Sequence, residues 1–239
     1  INGFGGDISS ASSAHGVSIS GGTIIAGGAG TVVLHGEGGK AGTSSDGVNM
    51  TTSPAKITSD GGSVTVTGIG GGAGASASCS GVAVLTGAQI SAGGSGIVVV
   101  QGTGGLGIGA LNYGVEVSGV GALITSNGGA IQVTGNGGTL GTVTGNNHGV
   151  IVDNSGKIRA AGAGSTTVTG FGGGTNATLS NYGVLVNNSG EISATGTGHV
   201  IINGTGGSGS GNLNAGVALS NSGLISSSGG NVTITGLGG

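Results

Sequence analysis

Gly183-Val184-Leu185-Val186-Asn187-Asn188-Ser189-Gly190-Glu191-Ile192-Ser193-Ala194-Thr195-Gly196-Thr197-Gly198-His199-Val200-Ile201-Ile202-Asn203-Gly204-Thr205-Gly206-Gly207 decides the fold. It holds three short runs in which apolar residues alternate with small or polar ones, the period of a strand with one buried face. Turns rich in Gly, Asn and Ser separate the runs. The phrase recurs along the chain. Its clearest marker, Gly-Val, falls at Gly16, Gly47, Gly81, Gly114, Gly149, Gly183 and Gly216, with spacings of 31, 34, 33, 35, 34 and 33. A period of this size is the signature of a stacked array.

The first run places Val17/Ile19, Val48/Met50, Val82/Val84, Val115/Val117, Val150/Val152, Val184/Val186 and Val217/Leu219 on one face. The second contributes Ile24, Ile57, Ile90, Ile124, Ile158, Ile192 and Ile225, each followed two residues on by Ala or Ser. The third runs from Val32/Leu34 through Val98/Val100 to Val232/Ile234 and ends in a Gly-x-Gly-Gly turn. β-branched residues dominate and glycine interrupts every few positions, which disfavours helix. The fold predicted is all-β: a parallel β-solenoid (β-helix) of about seven coils of ~33 residues, with three short strands and one longer loop per coil. A lone coil buries too few aliphatics to offset the entropy of ordering its residues, so stability belongs to the stack.

Composition excludes several classes. Glycine numbers 65 and the aromatics are only Phe4, Tyr113, Phe171 and Tyr182, so no core is built on large rings. The strict hydrophobic period distinguishes the chain from disordered low-complexity sequence, and glycine is not at every third position as in collagen. Four cations, Lys40, Lys56, Lys157 and Arg159, lie against seven acids. They are spread along the chain and are too few for nucleic-acid binding. The stretch from Asp60 to Glu116 has no charge between its ends, yet its longest aliphatic run is Ile97 to Val100. A spanning helix needs about 20 apolar residues and a barrel strand about 9–11, so membrane insertion is not expected.

The opening Ile1-Asn2-Gly3-Phe4-Gly5-Gly6 matches the closing Ile234-Thr235-Gly236-Leu237-Gly238-Gly239 in phase, and no capping segment is legible. The expectation is one continuous solenoid segment, 1–239, of a longer array or of copies joined head to tail.

No catalytic, cofactor or metal site is expected. The seven acids scatter over the repeat: Asp7 and Asp46 in the variable loop, Glu37 in the Gly-x-Gly-Gly turn, Asp60 after the second strand, and Glu116 and Asp153 outside the first strand. Lys157 and Glu191 precede equivalent isoleucines in consecutive coils and form an exposed cross-strand ion pair. His15 and His148 share a column but stand four coils apart, and His35 and His199 flank the third strand, so zinc is not expected. Cys79 has no intrachain partner and reads as a small residue in a tolerant loop. Asn154, Asn188 and Asn221 occupy Asn-Ser-Gly turns, where Asn bonds local backbone, Gly supplies positive φ, and stacking builds a ladder. The variable loop forms a ridge filled by Leu111, Leu179 and Leu213, and its Tyr113, His148 and Tyr182 are the candidate recognition row. Thr-x-Thr at Thr65/Thr67, Thr167/Thr169 and Thr233/Thr235 is an interrupted outward array of the kind that orders water or ice.

The Gly-Val-x-Val, Asn-Ser-Gly-x-Ile and Val-x-Ile-x-Gly-x-Gly-Gly phrases resemble the β-strand repeats of large exported bacterial adhesins of the filamentous-haemagglutinin or autotransporter-passenger type. The resemblance covers the whole chain, although the unit is longer than the coils common in that family. It implies secretion, display at the cell surface as a rod, and adhesion, aggregation or matrix building, with no catalytic residues. The function expected is a non-catalytic structural or adhesive extracellular fibre that self-associates head to tail or by lateral bundling. The alternatives are a glycan-binding or glycan-cleaving β-helix, recognising cell-surface or matrix glycans, and an ice-binding solenoid.

Overall fold

The computed structural model describes residues 1–7, 13–40, 43–72, 76–139, 145–174 and 180–239. After β1 (Asn2–Phe4), each coil contributes three strands, beginning with β2 (Val17–Ser20), β3 (Thr23–Ala26) and β4 (Val32–Glu37). The same order repeats to Val232–Leu237, and every strand pairs in parallel with its equivalents in the adjacent coils. Three sheets of seven, seven and eight strands line the solenoid, the eight-stranded one carrying the six-residue third strands. The register matches the sequence repeat residue for residue, as in Val98↔Ile131, Val100↔Val133 and Gly102↔Gly135. Among the described residues no helix is long and apolar enough to cross a membrane.

The core runs down the axis. Val84, Ile90, Val100, Ile124, Val133, Ile158 and Ile192 are all fully or nearly fully buried. Thr166 replaces an aliphatic in this interior and stays satisfied: its Oγ1 donates to the Ser193 carbonyl at 2.8 Å and accepts from the Ala160 amide at 3.2 Å. Buried polar groups are tolerated only on such terms.

Both sequence markers come from one corner of the coil. The glycine of the third strand faces the glycine of Gly-Val backbone to backbone. A Cβ at Gly135 would collide with the Gly149 carbonyl, and the pair recurs as Gly102 with Gly114 and Gly170 with Gly183. The strand-linking turns differ from expectation. In Asn154-Ser155-Gly156 the left-handed residues are Asn154 (φ 49°) and Ser155 (φ 71°), and Asn188-Ser189 and Asn221-Ser222 repeat this. The amide after the pair closes the turn, Gly190 N donating to Asn187 O at 2.8 Å. Two positive φ values in succession define a type I′ turn, which Asn tolerates. Gly190 is needed instead because a side chain there would strike the Val152 carbonyl.

Candidate functional site

The variable loop folds back over the outer face of the first-strand sheet. The residue two before each Gly-Val glycine is turned inward, and from Ser45 onward its side chain accepts a backbone N–H from the preceding coil. Ala14 N donates to Ser45 Oγ (3.2 Å), Ser45 N to Cys79 Sγ (3.4 Å) and Cys79 N to Asn112 Oδ1 (3.1 Å). Asn112 N then donates to Asn147 Oδ1 (2.9 Å), Asn147 N to Asn181 Oδ1 (3.0 Å), and Asn181 N to Asn214 Oδ1 (3.0 Å). The asparagines of this column are buried. Asn112 and Asn214 also use Nδ2 to hold carbonyls of their own loops, at Gly109 and Gly209, both at 2.8 Å.

Cys79 is therefore a rung of a buried ladder rather than a small residue in a tolerant loop, and burial pushes its thiol up from the ordinary value. The turn asparagines also reach the preceding coil, but through side-chain partners rather than its backbone: Asn154 Nδ2 reaches Ser118 Oγ at 3.2 Å, and Asn221 Nδ2 reaches Asn187 Oδ1 at 3.0 Å. Leu111 and Leu213, expected to fill the loop, are exposed instead and adopt φ of 65° and 67° immediately before the ladder residue. Turning the next side chain inward forces the leucine out. Leu179 lies outside the described residues.

The residue one before the glycine leans over the sheet. Tyr113, His148 and Tyr182 form a stack, with ring centroids 5.4 and 5.1 Å apart and interplanar angles of 12° and 28°. They pack on Ile151 and Leu185, which point outward from the first strand yet are buried. His148 Nδ1 accepts the Tyr182 amide at 3.1 Å, and burial lowers its pKa to about 3, so the ring is neutral. The rings of this row face one another, and Tyr113 and His148 are themselves buried, so that Tyr182 alone of the three is partly exposed.

Two coils before Tyr113 the same column holds Asp46, and Ser80 stands between them. Asp46 Oδ1 accepts the Ser80 amide at 2.7 Å, Asp46 Oδ2 accepts Asn49 Nδ2 at 2.5 Å, and Ser80 Oγ donates to Glu116 Oε2 at 3.3 Å. Asp46 and Glu116, scattered in the sequence reading, are brought to either side of one serine, because the loop lays Asp46 over the strand face that carries Glu116. Burial raises Asp46 to about 6, against the hydrogen bonds from Asn49 and Ser80. Burial, then the charges of Asp46 and Asp153, raise Glu116 to about 7. His15 Nδ1 accepts the Asp46 amide at 3.1 Å, and burial lowers its pKa. A groove of about 430 Å³ opens beside these groups, lined by Ser18, Asn49, Thr51 and Leu85 among others. Two carboxyls that exchange protons near neutrality at an open groove are able to act as acid and base.

Among the described residues no group of three or more His, Cys, Asp or Glu is placed to hold a metal ion. The outer face of the third-strand sheet carries the threonine array with its interruptions in register, Thr65 between Val33 and Val99, and Thr167 between Gln132 and Ile201. Compared with family models, curated proteins and solved structures, the chain matches none of them.

Proposed function

We propose that this chain is a non-catalytic segment of an extracellular fibre, a stiff rod that serves adhesion, aggregation or matrix building by packing against its like. The observation that supports the reading is the unbroken register. Each coil hands three strands to the next with no shift, and the buried side-chain ladder runs beside them from Ser45 to Asn214. Backbone hydrogen bonds directed along the axis make the stack stiff, and a net charge of −3 over 239 residues leaves little repulsion between neighbouring rods. Electron cryomicroscopy of the native material tests it. A continuous filament with an axial repeat of about 4.8 Å is the expected result, and discrete short particles overturn it.

A second reading, a glycan-cleaving β-helix, is favoured by the Asp46–Ser80–Glu116 arrangement alone. In such an enzyme one carboxylic acid protonates the leaving glycosidic oxygen while the other carboxylate activates water or attacks the sugar carbon. Release of reducing ends from a polysaccharide panel, abolished in Glu116→Gln, is its signature; no release by the unaltered chain removes it.

A further inference from the structure

We propose that the outer groove of the second-strand sheet binds an acidic polysaccharide laid along the solenoid axis, its carboxylates or sulfates meeting Arg159 and Lys56. The groove has a volume of about 670 Å³ and crosses five coils, from Lys56 and Asp60 to Thr195. Four spacings of about 4.8 Å make it ~19 Å long, the dimension of an oligosaccharide rather than of a small metabolite. Its floor is one column of outward residues in strict register: Thr58↔Ser91, Ser91↔Thr125 and Thr125↔Arg159.

Two features of the groove define the ligand's chemistry. First, the hydroxyls are fixed. Ser91 Oγ donates to Thr58 Oγ1, and Thr125 Oγ1 donates to the Arg159 carbonyl, both at 2.8 Å. Each oxygen keeps lone-pair capacity for a sugar hydroxyl, and one such group in each of three successive coils gives a chain of sugars a repeating set of partners. Second, two of the sheet's three cations form no ion pair among the described residues. Three of the chain's four basic residues, Lys56, Lys157 and Arg159, are gathered on this sheet, although the sequence spreads them. Lys157 is held by Glu191 at 2.7 Å, whereas among the described residues neither Arg159 nor Lys56 forms an ion pair. The groove's one carboxylate, Asp60, accepts the Gly28 amide at 3.2 Å. A half-buried guanidinium that shares the field of Glu191 but forms no direct ion pair with it is matched by a carboxylate or sulfate, which it engages through two parallel hydrogen bonds.

No aromatic ring lines the groove, so neutral sugars find no stacking platform there. Recognition rests on charge and hydroxyl pairing, and that separates acidic from neutral chains.

The test is calorimetric titration of the 239-residue chain with polygalacturonate fragments, heparan sulfate fragments and neutral dextran of matched length. Binding of at least one acidic polymer, weakened by salt, with none of dextran, is the expected result. Arg159→Gln lowers the affinity roughly tenfold or more, Lys56→Gln lowers it as well, and Lys40→Gln, on a different face, leaves it unchanged. Unchanged thermal unfolding in each variant shows that the surface alone was altered; should Arg159→Gln unfold, Lys56→Gln carries the test. Tighter binding of heparan sulfate assigns the groove to sulfated chains, and tighter binding of polygalacturonate to unsulfated uronates; either supports the site. Dextran binding equal to that of the acidic chains, no binding at all, or indifference to both groove substitutions overturns it. The titration reads single molecules in solution, so its failure leaves the fibre reading untouched.

Discussion

The buried Oδ1 of Asn181 accepts the backbone N–H of Asn147 from the coil before it, at 3.0 Å. The relation repeats through Asn112, Asn147, Asn181 and Asn214, so each asparagine closes an amide that the variable loop would otherwise leave buried and unpaired. Replacing Asn181 with Ala removes the acceptor and strands the Asn147 amide, at a cost of about 1–3 kcal/mol. Chemical unfolding of Asn181→Ala against the unaltered chain measures it, and a change of a few tenths of a kcal/mol would remove the ladder from the list of stabilising features.

Glycine substitutions separate the crowded corner from the open turns. Gly135→Ala drives a methyl into the Gly149 carbonyl, and because both partners are backbone in paired strands neither can yield. The expected loss is about 3 kcal/mol or more. At Gly22 an added Cβ meets only Ile19 Cγ2, at 3.8 Å, so Gly22→Ala should lie within about 0.5 kcal/mol of the unaltered chain. Thermal unfolding of the two variants side by side checks the contrast.

The raised carboxyls set a pH dependence with a definite sign. Unfolded Glu116 releases its proton near 4.5 and the folded group near 7, so between these values the folded chain holds more protons. Stability from this group is present below pH 4.5 and lost as pH rises to about 7, and Asp46 acts likewise between 3.8 and about 6. His148 opposes them: unfolded it charges below 6.5 and folded only near 3, so its contribution is lost as pH falls through that window. Glu116→Gln removes one acid while keeping an acceptor for Ser80. The variant should match the parent at pH 4 and exceed it at pH 8 by up to about 3 kcal/mol, at about 1.4 kcal/mol per pKa unit. Denaturant midpoints across this range decide it, and parallel curves refute it.

Cys79 is fully buried and its pKa is raised, so the reactive thiolate is scarce. A thiol reagent should label it slowly in the folded chain and at the free-thiol rate in denaturant. Equal rates in both conditions would show that the loop opens readily.

Much of the architecture was legible because its causes are local and periodic. Val184, Val186 and Ile192 keep the two-residue alternation that points them into the core, and all three are fully buried. The loop was not legible, because it changes length from coil to coil and a positional repeat cannot be read through it by alternation. Its signal was nonetheless present: Asn stands two residues before Gly114, Gly149, Gly183 and Gly216. The more conspicuous Asn-Ser-Gly phrases mark the turns instead, and there the left-handed residues are Asn and Ser. Asp46 and Glu116 were kept apart for a related reason. They occupy different phases of the repeat, and only a loop that doubles back over its own strand brings those phases to one place.

Because the strand-to-strand hydrogen bonds lie along the stacking direction, tension applied at the two ends loads them one coil at a time rather than all together. Each coil that gives way releases about 33 residues, or roughly 110 Å of slack at about 3.3–3.6 Å per residue. Under load, the molecule would lengthen in steps, giving up its length coil by coil rather than in one event.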